Sequence, residues 1–253
     1  MGGTTGPERA TAPGPARLVK LLRPSKLLDS LRVRRFRRGF AKLPVEPGEE
    51  IIYLGTGYGG WAIPDGILGA DSVCYCVGAG GDISFELGLI DRYGCAVVSF
   101  DPAAESEAHA NAAAAGRSGY RFLRVGIWDS DGTMPMYVAS DPDHMALSGA
   151  NLQRTADTIE VPIRSLPSVM AELGHERVDL LKLSVEGLEY ELVPKIDLRA
   201  MGVRIFSLEF SQLVRPLLAA ELVNSLGDQG YAPVFRNPRE QRRTTLTFLR
   251  RDS

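Results

Sequence analysis

Three cysteines in 253 residues are too few for a disulfide framework. Cys74, Cys76 and Cys95 stand in apolar surroundings with no CxxC and no neighbouring histidine, so no zinc site is encoded either. No run of about 18 uninterrupted apolar residues occurs, which argues against a helical membrane span. A compact apolar segment with a small-residue cleavage site is also missing at the N-terminus, so the expected location is the cytoplasm. Net charge is nearly absent, at −2; hydrophobic residues at 44% and charged residues at 24% are ordinary globular usage, which excludes a wholly disordered or fibrous chain. The length suits one α/β domain with an appendage.

The small net charge conceals an asymmetry. Up to Lys42 there are eleven basic residues against Glu8 and Asp29, which leaves eighteen basic and twenty-nine acidic residues for the remainder. Residues 1–16, rich in Gly, Thr, Pro and Ala, read as a disordered tail. Residues 17–45 place leucines and two phenylalanines at roughly helical spacing among Arg32, Arg34, Arg35, Arg37 and Arg38, and read as a basic amphipathic helical segment. Two phenylalanines offer little base stacking, so no nucleic-acid partner is expected. Docking on the acidic main domain, peripheral membrane or protein contact, and a homodimer through the leucine face remain as uses of this segment.

Residues 46–253 form the main domain. β-branched runs alternate there with helical stretches, the pattern of a parallel sheet with crossover helices. Strands are expected at 73–77, 96–100, 120–127, 178–185 and 203–210. Residues 231–236 and 244–249 follow as an antiparallel pair. The first strand ends in Gly78-Ala79-Gly80-Gly81-Asp82, where a glycine turn and a helix N-terminus let the backbone approach a ligand. Asp101 comes 20 residues after Gly81, at the tip of the next strand, where a carboxylate can accept both ribose hydroxyls of a nucleoside. The third glycine of the GxGxxG dinucleotide fingerprint is missing, and the terminal hairpin is unlike a dehydrogenase; both favour a methyl donor over a nicotinamide.

In the fourth strand Lys182, Ser184 and Glu186 alternate and share one face at the strand's exit, where they could orient an acceptor hydroxyl or take its proton. Glu209, at the end of the fifth strand, is a similar rim carboxylate. Tyr58, Gly59 and Trp61, ahead of the first strand, read either as a lid over the donor or as an apolar plug. Trp128 and Asp129 follow the third strand, where a purine could lie. Residues 140–158 are long and polar, a candidate acceptor loop carrying His144 as a candidate base. His109 and His175 receive no role. The acids near the cleft form no spaced ligand set, so metal dependence is left open.

VDLLKLSVEGLEYELV (178–193) resembles the KxDxEGxE signature of the FkbM family of S-adenosylmethionine-dependent methyltransferases. CVGAGGDISFELGLIDRYGCAVVSFDP (76–102) accompanies it, and the similarity runs from about Tyr58 to the terminal hairpin. The resemblance implies a class I methyltransferase fold, a Rossmann-like three-layer α/β sandwich on a mostly parallel seven-stranded sheet with a C-terminal antiparallel hairpin. It implies S-adenosylmethionine as donor, S-adenosylhomocysteine as product, and O-methylation of a hydroxyl on a sugar, glycan or glycosylated natural product. Gly78, Gly80, Asp82 and Asp101 would contact the donor, with Ala79, Pro102 and Ser184 beside them, while Lys182, Glu186 and Glu189 would lie near the methyl group. Two positions depart from the family: Ser184 replaces the signature aspartate, and Cys76 stands where an acid often precedes the glycine loop. The role of the missing aspartate would pass to Glu186, Asp129 or Glu209. N- or carboxyl-methylation of a small metabolite, and a non-catalytic nucleoside-binding module, are the alternatives.

Overall fold

The computed structural model describes residues 45–138, 147–149, 157–211, 216–237 and 243–251. The tail and nearly all of the basic segment, residues 1–44, lie outside the described residues, as does His144.

The described chain opens with an antiparallel hairpin, β1 (Ile51–Leu54) and β2 (Trp61–Pro64). β3 (Val73–Val77) leads to α1 (Ser84–Tyr93), β4 (Ala96–Phe100) to α2 (Ala104–Ala113), and β5 (Tyr120–Leu123) ends the first half. Next come β6 (Gly126–Trp128), β7 (Gly132–Val138), β8 (Leu147–Ser148) and β9 (Thr158–Ser165). α3 (Leu166–Leu173), β10 (Leu180–Leu183), the short α4 (Glu189–Leu192) with a 3-10 turn at Val193–Lys195, and β11 (Ile205–Ser211) follow. α5 (Pro216–Asp228), β12 (Tyr231–Arg236) and β13 (Arg243–Arg250) complete the described chain.

Seven strands form the central sheet in the order β12-β13-β11-β10-β3-β4-β5. β3, β4, β5, β10 and β11 run parallel, and β13 inserts antiparallel between β11 and β12. This is the expected fold: a class I methyltransferase sandwich with a terminal antiparallel pair. Strand alternation sends Tyr75, Val98, Leu181 and Phe206 to one face, under α3, α4 and α5. Cys74, Cys76, Val97, Leu180 and Ile205 face the other way and are covered by Phe85 and Leu89 of α1 and by Trp61 and Ile63 of β2. The three cysteines are free and buried in that second layer. The order reverses between β3 and β10, and in such sheets ligands bind outside the carboxyl ends of the strands at that reversal.

Two expectations are corrected. The strand expected at 120–127 is broken: β5 joins the central sheet, while β6 joins a separate sheet in the order β6-β9-β7-β8. The stretch 140–158 is not wholly loop, because Leu147–Ser148 pairs with β7 and Thr158 opens β9. β7 and β9 carry Pro135 and Pro162 within the strand, and proline removes a ladder donor and ordinarily argues against a strand. Their pairing is sustained by a small apolar cluster of Met136, Val161 and Ile163.

Candidate donor and acceptor site

The glycine loop leaves β3 at the sheet reversal. Gly78 has φ +80°, and a Cβ there would sit 2.1 Å from the Ser184 carbonyl oxygen, so only glycine lets the exits of β3 and β10 pass so closely. Its N–H donates to the Phe100 carbonyl at 2.8 Å, and the Ser184 N–H donates to Val77 O at 3.1 Å. Gly80 has φ +56° and open space where a Cβ would lie, so the loop backbone can be approached from outside. Its N–H donates to Asp101 Oδ2 at 2.9 Å, and Ala103 N–H donates to Asp101 Oδ1 at 2.9 Å. Each carboxylate oxygen has further lone-pair capacity, so Asp101 can still accept from two ribose hydroxyls. Burial pushes the Asp101 carboxyl up, opposed by these backbone hydrogen bonds. Ala79, within the loop, is buried, and Pro102 is half-buried beside Asp101.

Asp82 works within the protein. Its Oδ1 accepts from Ser84 N at 2.8 Å, tying down the start of α1. Its Oδ2 accepts from the Thr56 hydroxyl and from Gly59 N. Burial would raise this carboxyl, yet the hydrogen bonds from Ser84, Thr56 and Gly59 outweigh it and leave it below the usual range. Asp82 therefore anchors the β1–β2 turn to the glycine loop instead of presenting free oxygens to a donor. The turn is tightly built: the single Tyr53 hydroxyl proton is shared between Thr56 O at 3.0 Å and Gly60 O at 2.9 Å, and Thr56 N donates to Ser84 Oγ at 2.8 Å. A Cβ on Gly59 would lie 2.5 Å from Asp82 Cγ, so that residue packs on the carboxylate. Tyr58, at the tip, is 78% exposed. Trp61 is the plug and not the lid: it is buried, its ring 6.4 Å from that of Phe85.

Lys182 is also corrected. Its ammonium turns inward from the rim, donates to Gly78 O at 2.6 Å, lies 4.0 Å from Glu86 Oε1, and stands 5.5 Å from the centre of the Trp61 ring. Only 6% of its side chain is exposed, so it positions the glycine loop and does not meet an acceptor. Burial drives the Glu86 carboxyl upward, with Lys182 pulling it down. Glu189 is buried as well, accepting from Gly187 N at 2.8 Å and closing the turn after β10.

Two further carboxylates lie near the rim. Glu186, half-buried, has φ +47° and is the one non-glycine residue with positive φ among the described residues. β-Register aligns Leu183 with Leu208, so half-buried Glu209 is level with Ser184. Asp129 is occupied: it pairs with Lys195 Nζ at 2.6 Å, and that ammonium stands 4.7 Å from the centre of the Trp128 ring. The hydrogen bond from Lys195 lowers the Asp129 carboxyl. A purine would meet this pair, not a free acid. Sequence reasoning missed Glu86, Thr56 and Lys195; the one signal for Glu86 was an acid inside the apolar run ISFELGLI. Among the described residues no cluster of three His, Cys, Asp or Glu side chains could hold a metal. A cavity of about 460 Å³ lined by Ser72, Arg177, Asp179, Arg204 and Arg250 lies by the amino ends of β3 and β10, across the sheet from the glycine loop.

Residues 75–232, from within β3 to within β12, match the methyltransferase FkbM domain. The chain belongs to the FkbM methyltransferase family. It is accordingly an S-adenosylmethionine-dependent methyltransferase. The matched stretch holds the glycine loop, Asp101 and the turn carrying Glu186, whereas the β1–β2 hairpin precedes it. No curated protein matches the sequence. Among solved structures, the Methanococcus jannaschii fibrillarin pre-rRNA processing protein is similar at 14% identity and TM-score 0.47, over 81% of this chain and 84% of that one. Aeropyrum pernix fibrillarin, solved with natively bound S-adenosyl-L-methionine, is similar at 11% identity and TM-score 0.45, over 82% of this chain and 86% of that one. The METTL16 methyltransferase domain is similar at 14% identity and TM-score 0.45, over 89% and 80% respectively.

The FkbM domain's own geometry fits the donor. Open space over Gly80 would permit close backbone approach, and Asp101 at the neighbouring strand end could supply acceptors for a ribose.

Proposed function

We propose that this methyltransferase transfers its methyl group to a hydroxyl of a sugar, glycan or glycosylated small molecule. The observation that carries the reading is that two segments border the glycine loop: the turn bearing the exposed Tyr58, tied to the loop through Gly59 and Asp82, and the turn bearing Glu186, which follows the Ser184 carbonyl packed on Gly78. An aromatic face with a nearby carboxylate suits a ring of hydroxyls, the ring face packing on Tyr58 and one hydroxyl reaching the acid. S-Adenosylmethionine, when bound, supplies a methyl already activated on a sulfonium. The chain's share of the work is then mainly alignment. The loop at Gly78 and Gly80, with Asp101, would hold the donor, Lys182 fixes the loop, and Glu186 would take the proton from the acceptor oxygen. Glu209 supports Glu186 by keeping the rim acidic. Ser184, in the place of the signature aspartate, carries a hydroxyl and not a carboxylate, which leaves the base role to Glu186.

The same proposal places the reaction in the cytoplasm, in keeping with three free buried thiols, and in the modification of natural products. No helix among the described residues is long and apolar enough to cross a membrane. Incubating the full chain with methyl-labelled S-adenosylmethionine and a panel of methyl glycosides, glycosylated aromatics, amines and carboxylic acids tests the reading. Label on sugar oxygens, lost in Glu186→Gln, is the expected result. Label confined to amines or carboxylates would overturn the acceptor class.

A further inference from the structure

Both carboxylate oxygens of Glu86 are buried and, among the described residues, meet no conventional hydrogen-bond donor, the buried Cys76 thiol being the polar group that faces them beside Lys182. Such groups are rare in native proteins, and each asks for a cause. Glu86 lies in the first turn of α1, immediately after the glycine loop, and its side chain is 1% exposed. The Lys182 ammonium is 4.0 Å from it and donates at 2.6 Å to the Gly78 carbonyl. A lysine 6% exposed beneath a loop that receives a sulfonium raises an electrostatic difficulty. Two positive charges close together in a weakly polarisable interior repel strongly, and a buried ammonium needs a counter-charge. Asp101 and Asp82 also lie close to the loop, held by neutral donors, Asp101 by Gly80 and Ala103 and Asp82 by Ser84, Thr56 and Gly59, but Glu86 is the acid whose oxygen comes within 4.0 Å of the ammonium.

We propose that Glu86 is the counter-charge of Lys182 and that the two form a positioning pair for the donor. Lys182 holds the Gly78 carbonyl and so the shape of the loop, while Glu86 cancels the charge that would otherwise weaken binding of a cationic donor. The pair thereby sets the preference between the sulfonium donor and its neutral thioether product. This inference rests on the reading of the glycine loop as the donor site. It concerns residues that touch the loop, not the reacting atoms.

The test is titration calorimetry of the full chain with S-adenosylmethionine and S-adenosylhomocysteine, read as the ratio of the two dissociation constants. Glu86→Gln keeps the volume and removes the charge; it is expected to weaken the sulfonium about 10-fold more than the thioether. Glu86→Asp is expected to retain the wild-type ratio. The double variant K182M/E86Q, neutral at both positions, is expected to restore the ratio while weakening both ligands, because the Gly78 carbonyl has lost its donor. It also keeps the test alive if E86Q alone folds poorly, since replacing a whole buried ion pair by uncharged groups is generally tolerated better than removing one partner. Equal changes for both ligands in E86Q, or none, would overturn the counter-charge. A wild-type chain that binds neither ligand would instead overturn the donor site itself.

Discussion

At Asp101 both carboxylate oxygens already accept a backbone N–H, one from the loop proposed to hold the donor and one from the approach to α2. Asp101→Asn keeps the shape but removes the charge and one acceptor. Hydrogen bonds to a charged group contribute roughly 1.5–3 kcal/mol, so affinity for S-adenosylhomocysteine should fall by roughly 10- to 100-fold, measured by calorimetry. Unchanged affinity would place the ribose elsewhere. Glu186 poses a different question, because its φ of +47° is a conformation that non-glycine side chains adopt at a cost of order 1–3 kcal/mol. Strain of this kind persists where function requires the side chain. Glu186→Gly should therefore raise the melting temperature while lowering kcat, by about 100-fold if the carboxylate is the base. A variant that is both more stable and fully active would dismiss Glu186 from the chemistry.

The β1–β2 turn illustrates how one element serves another. Thr56 Oγ1 accepts from the N–H groups of Tyr58 and Gly59, each at 3.1 Å, and donates to Asp82, so one hydroxyl links the turn to the start of α1. Thr56→Val removes all three contacts at nearly constant volume. The turn should loosen, lowering stability by about 1 kcal/mol and raising the acceptor KM several-fold with donor affinity retained. Thermal melts and steady-state kinetics with a methyl glycoside acceptor separate those effects. A loss of donor affinity equal to the loss in KM would mean that the turn shapes the donor site instead. In the helical layer, Gly174 has φ +70° and caps α3, placing His175 beside the sheet.

Across the whole molecule, the contact between Tyr75 and His175 joins the centre of the sheet to that layer: Tyr75 OH and His175 Nδ1 are 2.8 Å apart. Burial lowers the His175 pKa, and the nearby Arg121 lowers it further, so the folded protein holds the neutral imidazole hydrogen-bonded to the tyrosine. The unfolded chain titrates near 6.5. Stability from this group is complete above that value and is lost as pH falls from 6.5 through the lower folded pKa, because only the unfolded state then gains the proton. Melting temperatures taken between pH 8 and pH 5 should decline below 6.5, and a His175→Gln variant should lack that part of the decline. The same slope in the variant would assign it to other groups.

The order of strands and helices in the central sheet could be read along the chain because each buried strand is a short apolar run bounded by glycine or acid. Gly78, Gly80 and Asp101 were legible for the same reason: local turn chemistry demands those residue types at those places. The small sheet of β6 to β9 was not legible, since its two long strands carry prolines and bury few side chains. Nor was the fate of the charged residues. Lys182, Asp82 and Asp129 all look like ligands for a substrate when read along the chain, yet each is satisfied by a partner from a distant segment, Gly78 and Glu86, Thr56 and Gly59, and Lys195 respectively. Sequence by itself determined the sheet, the glycine loop and the acid at its side, because these follow from local periodicity and backbone geometry. Only the tertiary structure decided which charges face the cleft and which are spent inside, because a polar group's role depends on the partner that burial brings to it.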